Sequence, residues 1–160
     1  WKGILKPYHE SVMKVVRTRD PDNLMVFGTP NWSQDVSAAA KDPIDGVNLA
    51  YTLHFYSCSH TALLRGSAES ARKLGLPLLV TEWGATASDG GLDGKVCVDE
   101  SDKWLDWMKE NSIGWAAWKL DDCSPDASCL LRPGAAVSGG WTDDALSTSG
   151  KYVRDRMKAP

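Results

Sequence analysis

The chain has 160 residues, 42% hydrophobic and 24% charged, with 18 Lys+Arg against 21 Asp+Glu for a formal net charge of -3. That balance excludes disorder, since a core can be buried, and the length favours a single domain over 1–160. With no basic stripe to collect phosphates and no apolar run near the roughly 20 residues that cross a bilayer, neither nucleic acid nor membrane is an expected partner.

From the N-terminus, Ile4, Tyr8, Val12, Val15 and Val16 fall on one stripe of an amphipathic helix over Ile4 to Arg19, with Pro7 in the early turn where its missing N–H is harmless. Asp20-Pro21-Asp22-Asn23 breaks it, and Leu24 to Phe27 reads as a short buried strand. A polar loop, Thr29 to Asp35, leads to a short helix at Val36 to Ala40. Val47 to Tyr56 forms a second strand, Ala62 to Leu74 a helix stopped by Gly75, and Pro77 to Trp83 a third strand. Asp99 is the expected N-cap of a helix to Asn111 that carries Trp104, Leu105, Trp107 and Met108 at helical spacing. Ile113 to Leu120 is the fourth strand, followed by a long loop with Gly139-Gly140-Trp141, and Ser149 is placed to cap a final helix to Lys158. The N-terminus lacks the charged, apolar and small-residue segments of a signal peptide, so the chain reads as a soluble piece of a longer one.

Strand and helix alternate four times, which predicts a parallel sheet with right-handed crossovers in an α/β fold, either doubly wound or a barrel. Gly28-Thr29-Pro30-Asn31-Trp32 offers no G-x-G-x-x-G and no Walker pattern occurs, so nucleotide binding loses ground and no cofactor is expected. In a barrel, chemistry sits at the C-terminal ends of strands, and Trp32, His54, Tyr56, Glu82 and Trp118 all fall there. His54 and Tyr56, two apart on a strand, share a face. Glu82 ends an apolar strand, where a carboxylate can act as nucleophile or base; a solvated strand-end Glu is the plainer alternative, and structural hydrogen bonds are the plainer alternative for His54 and Tyr56.

Eight Trp against two Phe is a skewed choice. Trp joins a flat apolar face to one N–H donor and suits half-wet surfaces where a sugar ring stacks. Trp104 and Trp107 read as core, Trp32 and Trp118 as ligand candidates. The four cysteines allow three pairings and lack the C-x-x-C doublets of a structural zinc site, so no metal is expected. Their positions beyond apolar runs fit disulfides in an oxidising compartment, with Cys123–Cys129 and Cys58–Cys97 the preferred pairs and free buried thiols the alternative.

Taken together, Thr29-Pro30-Asn31-Trp32-Ser33-Gln34-Asp35-Val36, His54-Phe55-Tyr56, Thr81-Glu82-Trp83-Gly84, Trp115-Ala116-Ala117-Trp118, Gly139-Gly140-Trp141 and Leu146-Ser147 closely resemble the second half of bacterial endo-β-1,4-glucanases of glycoside hydrolase family five. The resemblance implies the last four strand–helix units of a (β/α)8 TIM barrel, a half-barrel, since a full one takes about 250 residues. It further implies a secreted retaining cellulase acting on cellulose or β-glucan, with Glu82 as nucleophile, His54 and Tyr56 flanking it, Trp118 under a sugar ring and Trp32 along the cleft wall. The family's acid/base Glu follows an Asn, and no Asn-Glu pair occurs in this sequence. Cys123, just after Asp121-Asp122, stands where many relatives place a sugar-contacting Lys. Asn31-Trp32-Ser33 spells a glycosylation sequon, read as coincidental because a glycan there would block substrate.

The expected partners are a β-glucan oligosaccharide or polysaccharide and either a second copy or an N-terminal half. In a two-fold homodimer of half-barrels, Asp121 or Asp122 of one copy would stand near Glu82 of the other as a weak substitute acid. The competing reading is a non-catalytic glucan-binding half-domain.

Overall fold

The computed structural model describes residues 1–158. Its elements are α1 (Leu5–Val16), β1 (Met25–Phe27), α2 (Pro30–Ser33), α3 (Val36–Ala40), β2 (Leu49–Tyr56), α4 (Ala62–Lys73), β3 (Leu78–Gly84), α5 (Val98–Glu110), β4 (Trp115–Ala117) and α6 (Thr148–Lys158). The four strands are parallel and hydrogen-bonded in the order β1-β2-β3-β4, so β1 and β4 are the edges. Each parallel neighbour is reached through a helical crossover, since a tight hairpin joins only antiparallel strands. Contacts divide the chain into two compact units, residues 1–54 with 62–81 and residues 55–61 with 82–160.

In the first unit β1 pairs with β2 from Met25 opposite Leu49 to Phe27 opposite Tyr51. β2 starts at Leu49 rather than at Val47, because Asn48 takes a left-handed φ of 53° that no strand tolerates. Tyr51 is buried and its hydroxyl accepts the Ile44 N–H (2.7 Å). α1 corrects the sequence reading. Of the expected stripe only Val16 turns partly inward, beside Leu5, His9 and Met13, while Ile4, Tyr8 and Val15 face outward at 79%, 60% and 69% exposure. Two apolar stripes one residue apart run along this helix, and periodicity cannot choose between them. Tertiary contacts do: His9 Nε2 donates to the Gly28 carbonyl (3.0 Å) and its ring lies 5.1 Å from that of Phe27. Beyond α4, Gly75 takes φ +89°, the left-handed stop expected of it.

In the second unit the core is aromatic. Phe55 stacks on Trp104 at 4.0 Å and 11° and on Trp83 at 5.6 Å and 21°, and all three are fully buried. Trp107 is only half-buried, edge-on to Trp104. Two helix starts differ from expectation. α5 begins at Val98 with Cys97 at the N-cap, which leaves Asp99 and Glu100 in the first turn, where their charge favours the helix dipole. α6 begins at Thr148, and the Ser147 hydroxyl accepts the Gly150 N–H (3.0 Å), while Ser149 instead donates to the Ala127 carbonyl (2.6 Å). Gly150 is obligatory there because a Cβ would run into the Leu130 carbonyl. β4 is shorter than the apolar run that announced it: after Trp118 N–H reaches the Trp83 carbonyl, the Lys119 amide turns to Ser128 and the Lys119 carbonyl accepts from Leu130. Among the described residues no helix is long and apolar enough to cross a membrane.

Two disulfides join Cys58 to Cys97 and Cys123 to Cys129, spanning 39 and 6 residues. Loop-closure entropy makes the longer bridge worth about 4 kcal/mol and the shorter about 2 kcal/mol. In urea unfolding, the Cys58→Ser, Cys97→Ser double variant is therefore expected to lose about twice the stability lost by Cys123→Ser, Cys129→Ser.

Candidate functional site

The ends of β2 and β3 that lie in the second unit carry two of the candidate residues, Tyr56 and Glu82. Phe55 and Trp83 send their rings into the aromatic stack, and their chain neighbours Tyr56 and Glu82 stay half-buried. The Tyr56 hydroxyl donates to Glu82 Oε1 at 2.7 Å. Burial pushes the Tyr56 phenol well above its usual range, and the hydrogen bond and charge of Glu82, with the charge of Asp126, push it the same way. The phenol is thus a fixed donor at any working pH, and it holds one carboxylate oxygen in place. The Ser57 N–H runs to the Gly84 carbonyl (2.9 Å) and ties the two strand ends together. Gly84 leaves room for the phenol: a Cβ there would lie 2.7 Å from Tyr56 Cδ1.

His60 contributes a residue that the sequence reading missed. Its Nδ1 accepts the Tyr56 backbone N–H (2.9 Å), its own N–H returns to the Tyr56 carbonyl (2.7 Å), and its carbonyl accepts the Trp104 indole N–H (2.8 Å). Burial pushes its imidazole below the usual histidine range. A histidine four residues past a strand end has no periodic signature, so only the turn reveals it.

Trp118 is 43% exposed at the end of β4, with the Lys119 ammonium 5.9 Å from its ring centre. Lys119 Nζ lies 3.3 Å from Asp121 and 3.8 Å from Asp126, two further charged groups near Trp118 of which sequence singled out only the first. Asp121 and Asp122 are exposed; Asp122 Oδ2 accepts the Gly134 N–H (3.0 Å). Asp121, Cys123 and Cys129 are the one group with metal-ligand proximity among the described residues, and its two sulfurs are joined to each other as a disulfide.

The first unit holds His54 and Trp32. His54 Nε2 lies 2.8 Å from Thr81 Oγ1, Thr81 Oγ1 also meets Thr52 Oγ1, and Thr29 Oγ1 donates to the Thr52 carbonyl (3.2 Å). This run of threonine hydroxyls orients the imidazole. Thr81 was legible only as part of a motif, not as the histidine's partner. Trp32 is 83% exposed and sits in a turn where Asn31, Trp32 and Ser33 have φ of 56°, 52° and 62°. Three successive left-handed residues other than glycine store strain of about 1 to 2 kcal/mol each. The turn holds because its amides are satisfied, Ser33 N–H by the Thr29 carbonyl (3.1 Å) and Asp35 N–H by the Pro30 carbonyl (3.0 Å). Strain of this kind gathers at ligand clamps.

The fit of Tyr56 against Gly84 yields a direct expectation. Gly84→Ala displaces the phenol from Glu82 and lowers the Tyr56 phenol pKa toward the ordinary tyrosine value, measured by ultraviolet titration against the Tyr56→Phe variant as the subtraction control.

Comparison with known proteins places this geometry in a family. Residues 1–124 match the model of Cellulase (glycosyl hydrolase family 5). Endoglucanase N of Pectobacterium atrosepticum is 41% identical over 159 residues, which cover 99% of this chain and 35% of that protein. A structure from Cytophaga hutchinsonii superposes with a TM-score of 0.95 at 37% identity, covering 99% of this chain and 51% of that one. The catalytic domain of a Thermobifida fusca endoglucanase, solved in complex with cellotetraose, superposes with a TM-score of 0.89 at 32% identity, covering 97% of this chain and 52% of that one. The chain thus spans about a third of the Pectobacterium relative's length and about half of these two solved chains. With the four-stranded half of a TIM barrel and the Tyr56–Glu82 pair at its strand ends, the chain belongs to glycosyl hydrolase family 5.

Proposed function

We propose that this chain is the nucleophile-bearing half-barrel, over 1–160, of a secreted endo-β-1,4-glucanase that hydrolyses β-1,4-glucosidic bonds with retention. The observation that carries the reading is the 2.7 Å hydrogen bond from Tyr56 to Glu82 at the end of an apolar strand. In this mechanism a Glu82 carboxylate oxygen attacks the anomeric carbon, the glycosidic oxygen departs with a proton from an acid, and water then cleaves the glycosyl ester. Tyr56 orients the attacking carboxylate. His54, held by Thr81, flanks it, and Trp118 and Trp32 offer faces on which glucose rings stack. Asp121 and Asp122 complete the polar part of the substrate-binding set. Endoglucanase relatives and the cellotetraose complex of the Thermobifida fusca domain support cellulose or β-glucan as the substrate class. The two disulfides fit an extracellular protein.

Glu82→Gln is neutral and a poor nucleophile. It is expected to abolish covalent labelling by a mechanism-based fluoro-cellobioside, with a loss of roughly 10⁴-fold or more, while the wild-type chain is labelled; labelling of the variant at the wild-type rate would end the assignment. The exposed Trp32 and Trp118 also fit a second reading, a glucan-binding half-domain in which Glu82 is idle. An aryl cellobioside with a good leaving group separates the two, since a nucleophile alone gives a burst of phenol and a binding module gives none.

The acid is expected from a partner, because no Asn-Glu pair occurs in this sequence. β1 and β4 are open edges, and Leu24 and Leu120 beside them are 58% and 62% exposed. Such edges seek strands, supplied by a second copy or by an N-terminal half. In a two-fold dimer an Asp121 or Asp122 carboxyl would serve as a weak acid. Light scattering at micromolar concentration is expected to give twice the 17.4 kDa monomer mass, and the Asp121→Asn, Asp122→Asn variant is expected to stay dimeric and lose activity on carboxymethylcellulose. A monodisperse monomer would leave only the N-terminal half as partner.

A further inference from the structure

We propose that His60 is a positioning residue for the Tyr56–Glu82 pair: its neutral ring accepts the strand-end amide of Tyr56, and protonation of that ring in mild acid releases the segment that carries the phenol. The functional side of this inference rests on Glu82 being the nucleophile; the structural side rests on hydrogen-bond accounting alone.

Along β2, the amides of Tyr51 and Ser57 point to β3, reaching the carbonyls of Pro77 (2.8 Å) and Gly84 (2.9 Å). Amides alternate in direction along a strand, so the N–H of Tyr56 points to the other side, where β1 has already ended at the pair Phe27–Tyr51. A partly buried amide without a partner would carry the full penalty of its lost hydration. His60 Nδ1 fills that place at 2.9 Å. An Nδ1 that accepts carries no proton, so the ring is the neutral Nε2–H tautomer. An imidazolium would instead set N–H against N–H and expel either the ring or the strand end.

The ring sits on a turn whose backbone is itself held in place. Its residue is closed onto Tyr56 by the amide–carbonyl bond of 2.7 Å, and its carbonyl is held by Trp104 on α5, whose ring is part of the buried stack. The Cys58–Cys97 disulfide braces the same turn. Around this link the titratable groups are the Tyr56 phenol, Glu82 at the far end of the same side chain and Asp126, whose charge reaches that phenol; the two half-cystines do not titrate. Burial is the cause of the lowered His60 value, with no charged side chain among the described residues contributing to it. The folded chain therefore favours the neutral ring. Stability is full above the ordinary histidine value of 6.5 and is lost as pH falls from 6.5 through the lowered folded value. The Tyr56–Glu82 geometry should be lost over the same window, since one ring proton controls both.

The test uses nitrogen-15 spectra of the intact chain, whose three histidines are His9, His54 and His60. The expected result is a His60 Nδ1 without a proton at neutral pH, and a Tyr56 amide resonance that moves with the His60 midpoint, below 6.5. In His60→Asn the Tyr56 amide should no longer titrate in that window. A protonated Nδ1 at neutral pH, or a Tyr56 amide that stays flat through the His60 midpoint, would overturn the proposal, and both are read in the wild-type chain should the variant fail to fold. None of these readouts needs turnover, so an inactive protein would count against the hydrolytic reading and leave this one standing. Where aryl cellobioside cleavage is measurable, its acid limb should follow the His60 midpoint in the wild type and lose that inflection in His60→Asn.

Discussion

The Trp104–Phe55–Trp83 stack is the constraint on which the reactive end of the second unit depends. Phe55 lies between two indoles, 4.0 Å from one and 5.6 Å from the other, and each ring is fully buried. Rings of this size contribute several kcal/mol each by burial, and stacking adds about 0.5 to 1.5 kcal/mol per pair. Because Phe55 and Trp83 are the chain neighbours of Tyr56 and Glu82, locking the first two in the core fixes the backbone from which the second two project. A 2.7 Å hydrogen bond between a phenol and a carboxylate is then a consequence of packing, and the small side of Gly84 completes it. The stack is not free of cost. Among the described residues the buried Trp83 indole N–H meets no hydrogen-bond partner, while its ring packs fully into the core.

The same unit spends covalent and polar links on the segment that follows β2. A disulfide at Cys58, a reciprocal pair of bonds between Tyr56 and His60, and the Trp104 indole on the His60 carbonyl all act within five residues. Loops after barrel strands are ordinarily the mobile part of the fold. Here one such loop is tied down by a disulfide and by hydrogen bonds to the strand end and to α5. In the first unit rigidity comes by other means. Threonine hydroxyls orient His54, and a strained left-handed turn with satisfied amides presents Trp32 to solvent.

The sequence by itself determined the element types, their alternation and the residues worth watching. Apolar runs closed by Asp-Pro and Gly punctuation mark strands whatever they pack on, and motifs such as Thr81-Glu82-Trp83-Gly84 declare their chemistry in side-chain type. Strand alternation was likewise enough to separate Phe55 from Tyr56. Only the tertiary structure decided what depends on partners distant in the chain. Which of two interleaved stripes on α1 turns inward was set by His9 meeting Gly28 and Phe27, not by periodicity. The length of β4 was set by Lys119 exchanging bonds with Ser128 and Leu130, so an expected strand of eight residues is one of three. The α6 cap fell to Ser147 because the Ser149 hydroxyl found the Ala127 carbonyl. His60 gained its role because β1 stops short of Tyr56 and leaves an amide to be satisfied. Local chemistry is written in the residue, whereas the satisfaction of each buried donor is a property of the whole arrangement, and that is why the second could be read only from the fold.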